Sequence, residues 1–155
     1  MIKEEYLPEG FYSAEAGFDD VKNATTSYYY TFRKSPEDNY PAYYVFHQIS
    51  VYENNDSAIN AFSDWEFFEF SSVDKETEKL HFQPKDSNDK YILRCQVTEN
   101  VTEVDAFCLY LQQHENLIIF ASTAISNNNI TYEEFDQLLE KLDELLPSEG
   151  VLTSN

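Results

Sequence analysis

The side chains that could bind a metal or attack a substrate are few in this chain, and they are scattered. Histidines stand at His47, His81 and His114, and cysteines at Cys95 and Cys108. No pair of histidines has the HxH or HExxH spacing that sets two imidazoles on one face. A structural zinc centre wants four clustered nitrogen or sulfur ligands, and none is visible. The run DSNDK (Asp86 to Lys90) begins like a calcium loop of alternating oxygen ligands. It lacks the turn glycine and the closing Glu, and Lys90 stands where a ligand is due. There is no GxSxG elbow and no glycine-rich phosphate loop. With Gly10, Gly17 and Gly150 as the only glycines, close backbone approach to a phosphate is poorly served. A reactive cysteine wants an electropositive, partly exposed setting, and a net charge of −19 offers little of that. The expectation is therefore a non-enzymatic protein with no catalytic residue, no cofactor and no metal.

Aromatic side chains are the remaining candidates. The stretch NATTSYYYTF (Asn23 to Phe32) carries three consecutive tyrosines, and Tyr40, Tyr43, Tyr44 and Tyr52 follow. Thr, Tyr and Phe favour strands because branched and aromatic side chains pack well on a pleated surface. Strand alternation puts Tyr28, Tyr30 and Phe32 on one face, packed inward, and Tyr29 on the other. In AYYVFHQISVYE (Ala42 to Glu53), Tyr43, Val45, His47, Ile49 and Val51 form the core-like face. Tyr44, Phe46, Gln48, Ser50 and Tyr52 form the opposite one. Exposed aromatic clusters usually mark binding surfaces, so Tyr29, Tyr44 and Tyr52 define a candidate partner-binding face.

These residues need elements to position them. YLPEGF (Tyr6 to Phe11) reads as an entry turn, AGFDDVKN as a polar link, and Ser35 to Pro41 as a loop. Asn54 to Ser57 offer N-cap side chains for a helix in which Ala58, Phe62 and Trp65 share a stripe, running to about Phe68. A short strand is expected at Leu80 to Gln83. Three strands follow, at Tyr91 to Thr98, Asp105 to Gln112 and Asn116 to Ala124. Their short linkers imply antiparallel hairpins, the second with its tip at His114 and Glu115. Then Thr131 and Glu134 form a capping box, with Ile130 and Phe135 as the staple. Phe135, Leu138, Leu139, Leu142, Leu145 and Leu146 lie on one stripe of an amphipathic C-terminal helix that Pro147 and Gly150 stop. The fold class is α+β, an antiparallel sheet with helices packed on it. The chain reads as one domain over 1–155, with its core at about 7–146 and a flexible tail from 147 to 155.

The strands bearing Cys95 and Cys108 admit two registers. One is symmetric about Val101 and Thr102 and sets the cysteines opposite each other. The other, shifted by one residue, sets Leu93, Cys95 and Val97 beside Leu111, Leu109 and Phe107 and turns Cys108 to the other face. The shifted register segregates apolar residues better, so two reduced, buried cysteines are expected.

Charge narrows the partners. Asp and Glu number 29 against 10 Lys and Arg. Such a chain is repelled by phosphates, so no nucleic acid is expected as a partner, and anionic membrane surfaces are disfavoured. No run approaches the length of a transmembrane segment. The start MIKEEYLPEG has neither the basic nor the apolar region of a signal peptide. The N-glycosylation triplets at Asn23, Asn55, Asn100 and Asn129 matter only in a secretory context.

The opening LPEGF, the run VYENNDSAINAF leading from strand to helix, the meander FCLYLQQHENLIIFAST and the closing EEFDQLLEKL together resemble small PsbP-like domains. The resemblance spans Leu7 to Leu146. It implies a central antiparallel sheet and a non-enzymatic accessory or binding role in secreted proteins or lipoproteins. It carries over no functional residue. On that footing the location is expected to be extracytoplasmic, after removal of a leader, and the partner an unknown protein or small ligand. The alternative is an acidic cytoplasmic inhibitor or immunity-type protein that neutralises a basic partner.

Overall fold

Three antiparallel strands, a helix, three more antiparallel strands and a closing helix make up the computed structural model. It describes residues 2–34, 44–69, 79–98 and 104–146, with 65–69 by backbone alone. The elements are β1 (Tyr12–Phe18), β2 (Thr26–Arg33), β3 (Tyr44–Val51), α1 (Asn55–Glu69), β4 (Lys90–Val97), β5 (Ala106–His114), β6 (Leu117–Ile125) and α2 (Tyr132–Glu144), after a short 3-10 turn at Glu4–Tyr6. The strands form one sheet in the order β1-β2-β3-β6-β5-β4, antiparallel at every pairing. This is the expected α+β class. Each half of the chain runs strand, strand, strand, helix, although no repeat is legible in the sequence. The last strands of the two halves, β3 and β6, meet at the centre.

The two helices cover opposite faces. Phe135, Leu138, Leu139 and Leu142 of α2 join Val45, Ile119, Ala121, Cys108 and Tyr110 in the larger core. Ala58 and Phe62 of α1 join Tyr52, Leu111 and Ile118 in the smaller one. Both helices start as their sequences require. The Asn54 side chain accepts from the Ser57 N–H at 2.9 Å. Thr131 and Glu134 complete the capping box, with Ile130 and Phe135 fully buried beneath it.

Several expectations need correction. The segment AGFDDVKN is not simply a link, because Ala16 to Phe18 complete β1. As an edge strand exposed along most of its length, β1 shows no apolar alternation to read. Leu80 to Gln83 form no strand. Leu80 and Phe82 are buried, but the His81 and Phe82 N–H groups donate to the Asp136 carboxylate at 2.8 and 3.2 Å. A helix side chain thus satisfies the backbone donors that a neighbouring strand would otherwise take. The β5–β6 tip is Glu115 and Asn116, since His114 pairs with Leu117. Glu115 supplies the turn with a positive φ of 48°. His114 is consequently a buried strand residue rather than a tip residue. The expected loop at Ser35 to Pro41, the position of Tyr43, the side chain of Trp65 and the tail from Pro147 lie outside the described residues.

The cysteine expectation also fails. β4 and β5 adopt the symmetric register, Cys95 faces Cys108, and the two form a disulfide with a Cα–Cα distance of 4.0 Å. The shifted register gathers apolar residues on one face, an advantage only for a sheet with one covered face. Here both faces of the sheet are covered, so Tyr110 and Leu111 are buried on opposite sides and segregation to one side gains nothing. His47 takes its expected place on the core-like face of β3. It lies on the α2 face, fully buried, and neither ring nitrogen has a hydrogen-bond partner among the described residues. Burial lowers its pKa to about 3, so it serves the core as a neutral ring.

Two outcomes follow for solution experiments. Leu142→Ala should cost about 2–5 kcal/mol, as truncation of a buried leucine does, and an unchanged denaturation midpoint would contradict the docking of α2. The intact mass should lie two hydrogens below the reduced mass, with no thiol released on unfolding. Replacing both cysteines by Ala should lower stability by roughly 2–4 kcal/mol.

Candidate functional site

The face that carries α1 is only partly covered by it. Beyond the helix, a row of aromatic rings crosses three strands. Tyr29 of β2 stacks on Phe46 of β3, with ring centroids 6.0 Å apart and planes at 18°. Phe46 meets Phe120 of β6 edge-on at 5.9 Å. These rings and Tyr44 are half-buried. Such pairs add roughly 0.5–1.5 kcal/mol beyond their area, enough to hold the row in one arrangement.

β1 explains why Tyr29 lies flat. Its cross-strand partner is Gly17. A Cβ at residue 17 would stand 3.3 Å from the Tyr29 ring, so the ring occupies the space a side chain would fill. The Tyr29 hydroxyl donates to Glu15 Oε1 at 2.9 Å. That hydrogen bond, helped by burial and by the charges of Glu15 and Asp19, raises the Tyr29 pKa above its ordinary value. Beside the row, Gln48 Nε2 donates to Asp19 Oδ2 at 2.7 Å. The result is a preorganised platform of rings with carboxylates along its β1 edge. It can stack on a flat or cationic group and supply acceptors beside it.

Of the three tyrosines expected on this face, the structure keeps Tyr29 and Tyr44 there and removes Tyr52. Tyr52 has the correct parity, but α1 begins just after it and covers it, leaving it 1 % exposed. Phe46 lies between Tyr29 and Tyr44, and alternation had already placed it on their face. Its part in the row rests on the cross-strand contacts with Tyr29 and Phe120, which alternation within one strand does not reveal. On the other face a second ladder, Phe18–Tyr28–Tyr30–Phe32, runs from the edge inward. Phe32 is buried and Tyr30 packs against the core as expected. Phe18, unforeseen because β1 was unforeseen, stands 79 % exposed.

A second cluster lies on the α2 face at the far side of the sheet. Here His114, ending β5, meets the DSNDK loop that precedes β4. His114 Nδ1 lies 2.9 and 3.0 Å from the two Asp89 carboxylate oxygens, and both side chains are about 5 % exposed. Gln112 Nε2 donates to Asp89 at 2.6 Å and to Asp143 of α2 at 3.2 Å. The Tyr110 hydroxyl donates to Gln112 Oε1 at 2.7 Å. Burial raises the Asp89 pKa, opposed by its bonds to His114 and Gln112. Burial, with Asp143 and Asp89 nearby, pushes the Tyr110 pKa up and keeps it a donor. Sequence reasoning had Asp89 in view and rated His114 a tip residue, so the juxtaposition was missed.

No protein-family model matches the chain, and neither does any curated protein or solved structure.

The platform yields a direct check. In 13C NMR of the tyrosine rings, Tyr29 should titrate higher than an ordinary tyrosine, and Glu15→Gln should bring its pKa down, because the carboxylate favours the protonated phenol. A Tyr29 pKa that ignores Glu15→Gln would contradict the pinned ring.

Proposed function

We propose that the chain is a non-enzymatic accessory or binding domain of PsbP-like type that works outside the cytoplasm and holds its partner on the Tyr29–Phe46 platform, with Tyr44 beside it. The observation that carries this reading is the platform itself. Its rings are fixed by Gly17, Glu15 and their own stacking before any partner arrives, and preorganised aromatic anchors are what binding surfaces favour. The groups gathered there are rings, an amide and carboxylates, a set suited to holding a partner rather than to making bonds. The Cys95–Cys108 disulfide supports the location, since such bonds persist in oxidising compartments and are rare in the cytosol. The central antiparallel sheet with packed helices agrees with what the PsbP-like resemblance implies.

A second reading has an observation of its own. Glu15 and Asp19 flank the platform, and the whole chain carries −19. An acidic aromatic face fits a basic protein partner, as an inhibitor or immunity-type protein would require.

The test replaces Tyr29 and Tyr44 by Ser together and uses wild type and variant as bait in matched pull-downs. The variant should stay folded, with a loss of about 1–3 kcal/mol for half-buried rings, and should no longer retain the partner that wild type captures. A folded variant that binds as well as wild type would place the contact elsewhere. Steep weakening by salt would favour the basic-partner reading.

A further inference from the structure

Among the described residues, the cluster on the α2 face holds more carboxylates than cationic groups. Asp89 and Asp143 are two carboxylates held nearly out of water, Asp143 at 8 % exposure, and one Gln112 amide bridges them. Asp143 also accepts from the Lys85 backbone N–H at 3.0 Å. The lysines nearby do not neutralise it. Lys85 and Lys141 both pair with Glu144, at 3.4 and 2.8 Å. The imidazole of His114 is the group that faces Asp89, and it carries charge only when protonated. Carboxylates out of water need compensating charge as well as hydrogen bonds, and a bound cation beside Asp89 would add the charge that the Gln112 amide and the Lys85 N–H do not carry.

The donors to hold one are in place. Asp86, Asp89 and His114 each present a ligand atom, and these atoms all lie within 4.8 Å of one another. They come from two separate segments, the loop before β4 and the end of β5, which the β4–β5 register brings together. Asp86 is fixed by its own loop, its Oδ1 accepting from the Asn88 N–H at 2.8 Å. Around the set, Tyr110, Gln112 and Asp143 form the hydrogen-bonded shell that orients ligand carboxylates in metal centres. One imidazole nitrogen with two carboxylate oxygens is the donor set of divalent first-row ions. Calcium and magnesium prefer oxygen alone.

We propose that Asp86, Asp89 and His114 bind one divalent transition-metal cation of the zinc class, with water completing the coordination. The ion takes the position of the hydrogen that His114 Nδ1 now shares with Asp89. The site lies on the opposite face from the aromatic platform and stands independently of it.

Calorimetric titration of the full chain, disulfide intact, with Zn2+ alone in 150 mM KCl and excess Mg2+ tests this. One saturable site per chain is expected, together with a raised unfolding temperature and a shift of the His114 ring resonances. Asp86→Asn, which leaves the His114–Asp89–Gln112 contacts untouched, should weaken binding at least tenfold. His114→Gln should do the same. Should His114→Gln not fold, Asp86→Asn decides the matter alone. No saturable site in the wild type, or Zn2+ held as tightly by Asp86→Asn, would overturn the proposal and leave only adventitious cation binding to an acidic surface.

Discussion

The register of β4 on β5 is the constraint on which the rest depends. Cys95 opposite Cys108 fixes it covalently, and the pairing then runs unbroken to Lys90 opposite Gln113. One step further along both strands, Asp89 arrives at His114. A slip by one residue would turn β5's partners to the wrong faces. It would part the cysteines and separate Asp89 from His114. The disulfide thus does more than brace an edge strand. It sets the geometry of a polar cluster six residues away on each strand, beneath the last turns of α2.

The same sheet has two covered faces for a simple reason. β3 leads into α1 and β6 leads into α2, and the helices settle on opposite sides. The larger core lies under α2 and tolerates even a neutral His47. The smaller lies under α1, which covers Tyr52; among the described residues Tyr29, Tyr44 and Phe46 are outside that cluster and half-buried. A binding platform emerges where the smaller cover ends. Its rigidity comes from the edge strand, where a glycine makes room for a ring and a glutamate pins its hydroxyl.

Much of this was legible in the sequence, and the failures share a cause. The start and the buried stripe of α2 were readable because capping box, staple and leucine spacing all act within one helix, but the stripe overran the end: the helix stops at Glu144 and Leu145 is 44 % exposed. The parity of β3 was readable because alternation is local. What was not readable depends on contacts between segments. The β4–β5 register was misjudged by assuming one apolar face, whereas two covered faces let Tyr110 and Leu111 both be buried. β1 was not legible because an exposed edge strand need not alternate. The burial of Tyr52 follows from where α1 docks. The meeting of Asp89 with His114 needed both the register and a hairpin tip displaced to Glu115 and Asn116.

The most direct measurement is of that register in solution. Closely spaced, non-hydrogen-bonded pairs in antiparallel strands bring their Hα protons together, and the 4.0 Å Cα–Cα distance places Cys95 and Cys108 in such a pair. Nuclear Overhauser spectra of the oxidised protein should therefore show Hα–Hα cross-peaks for Cys95–Cys108, Leu93–Tyr110 and Tyr91–Gln112. Cross-peaks joining Leu93 to Leu111 instead would show the shifted register and contradict the account.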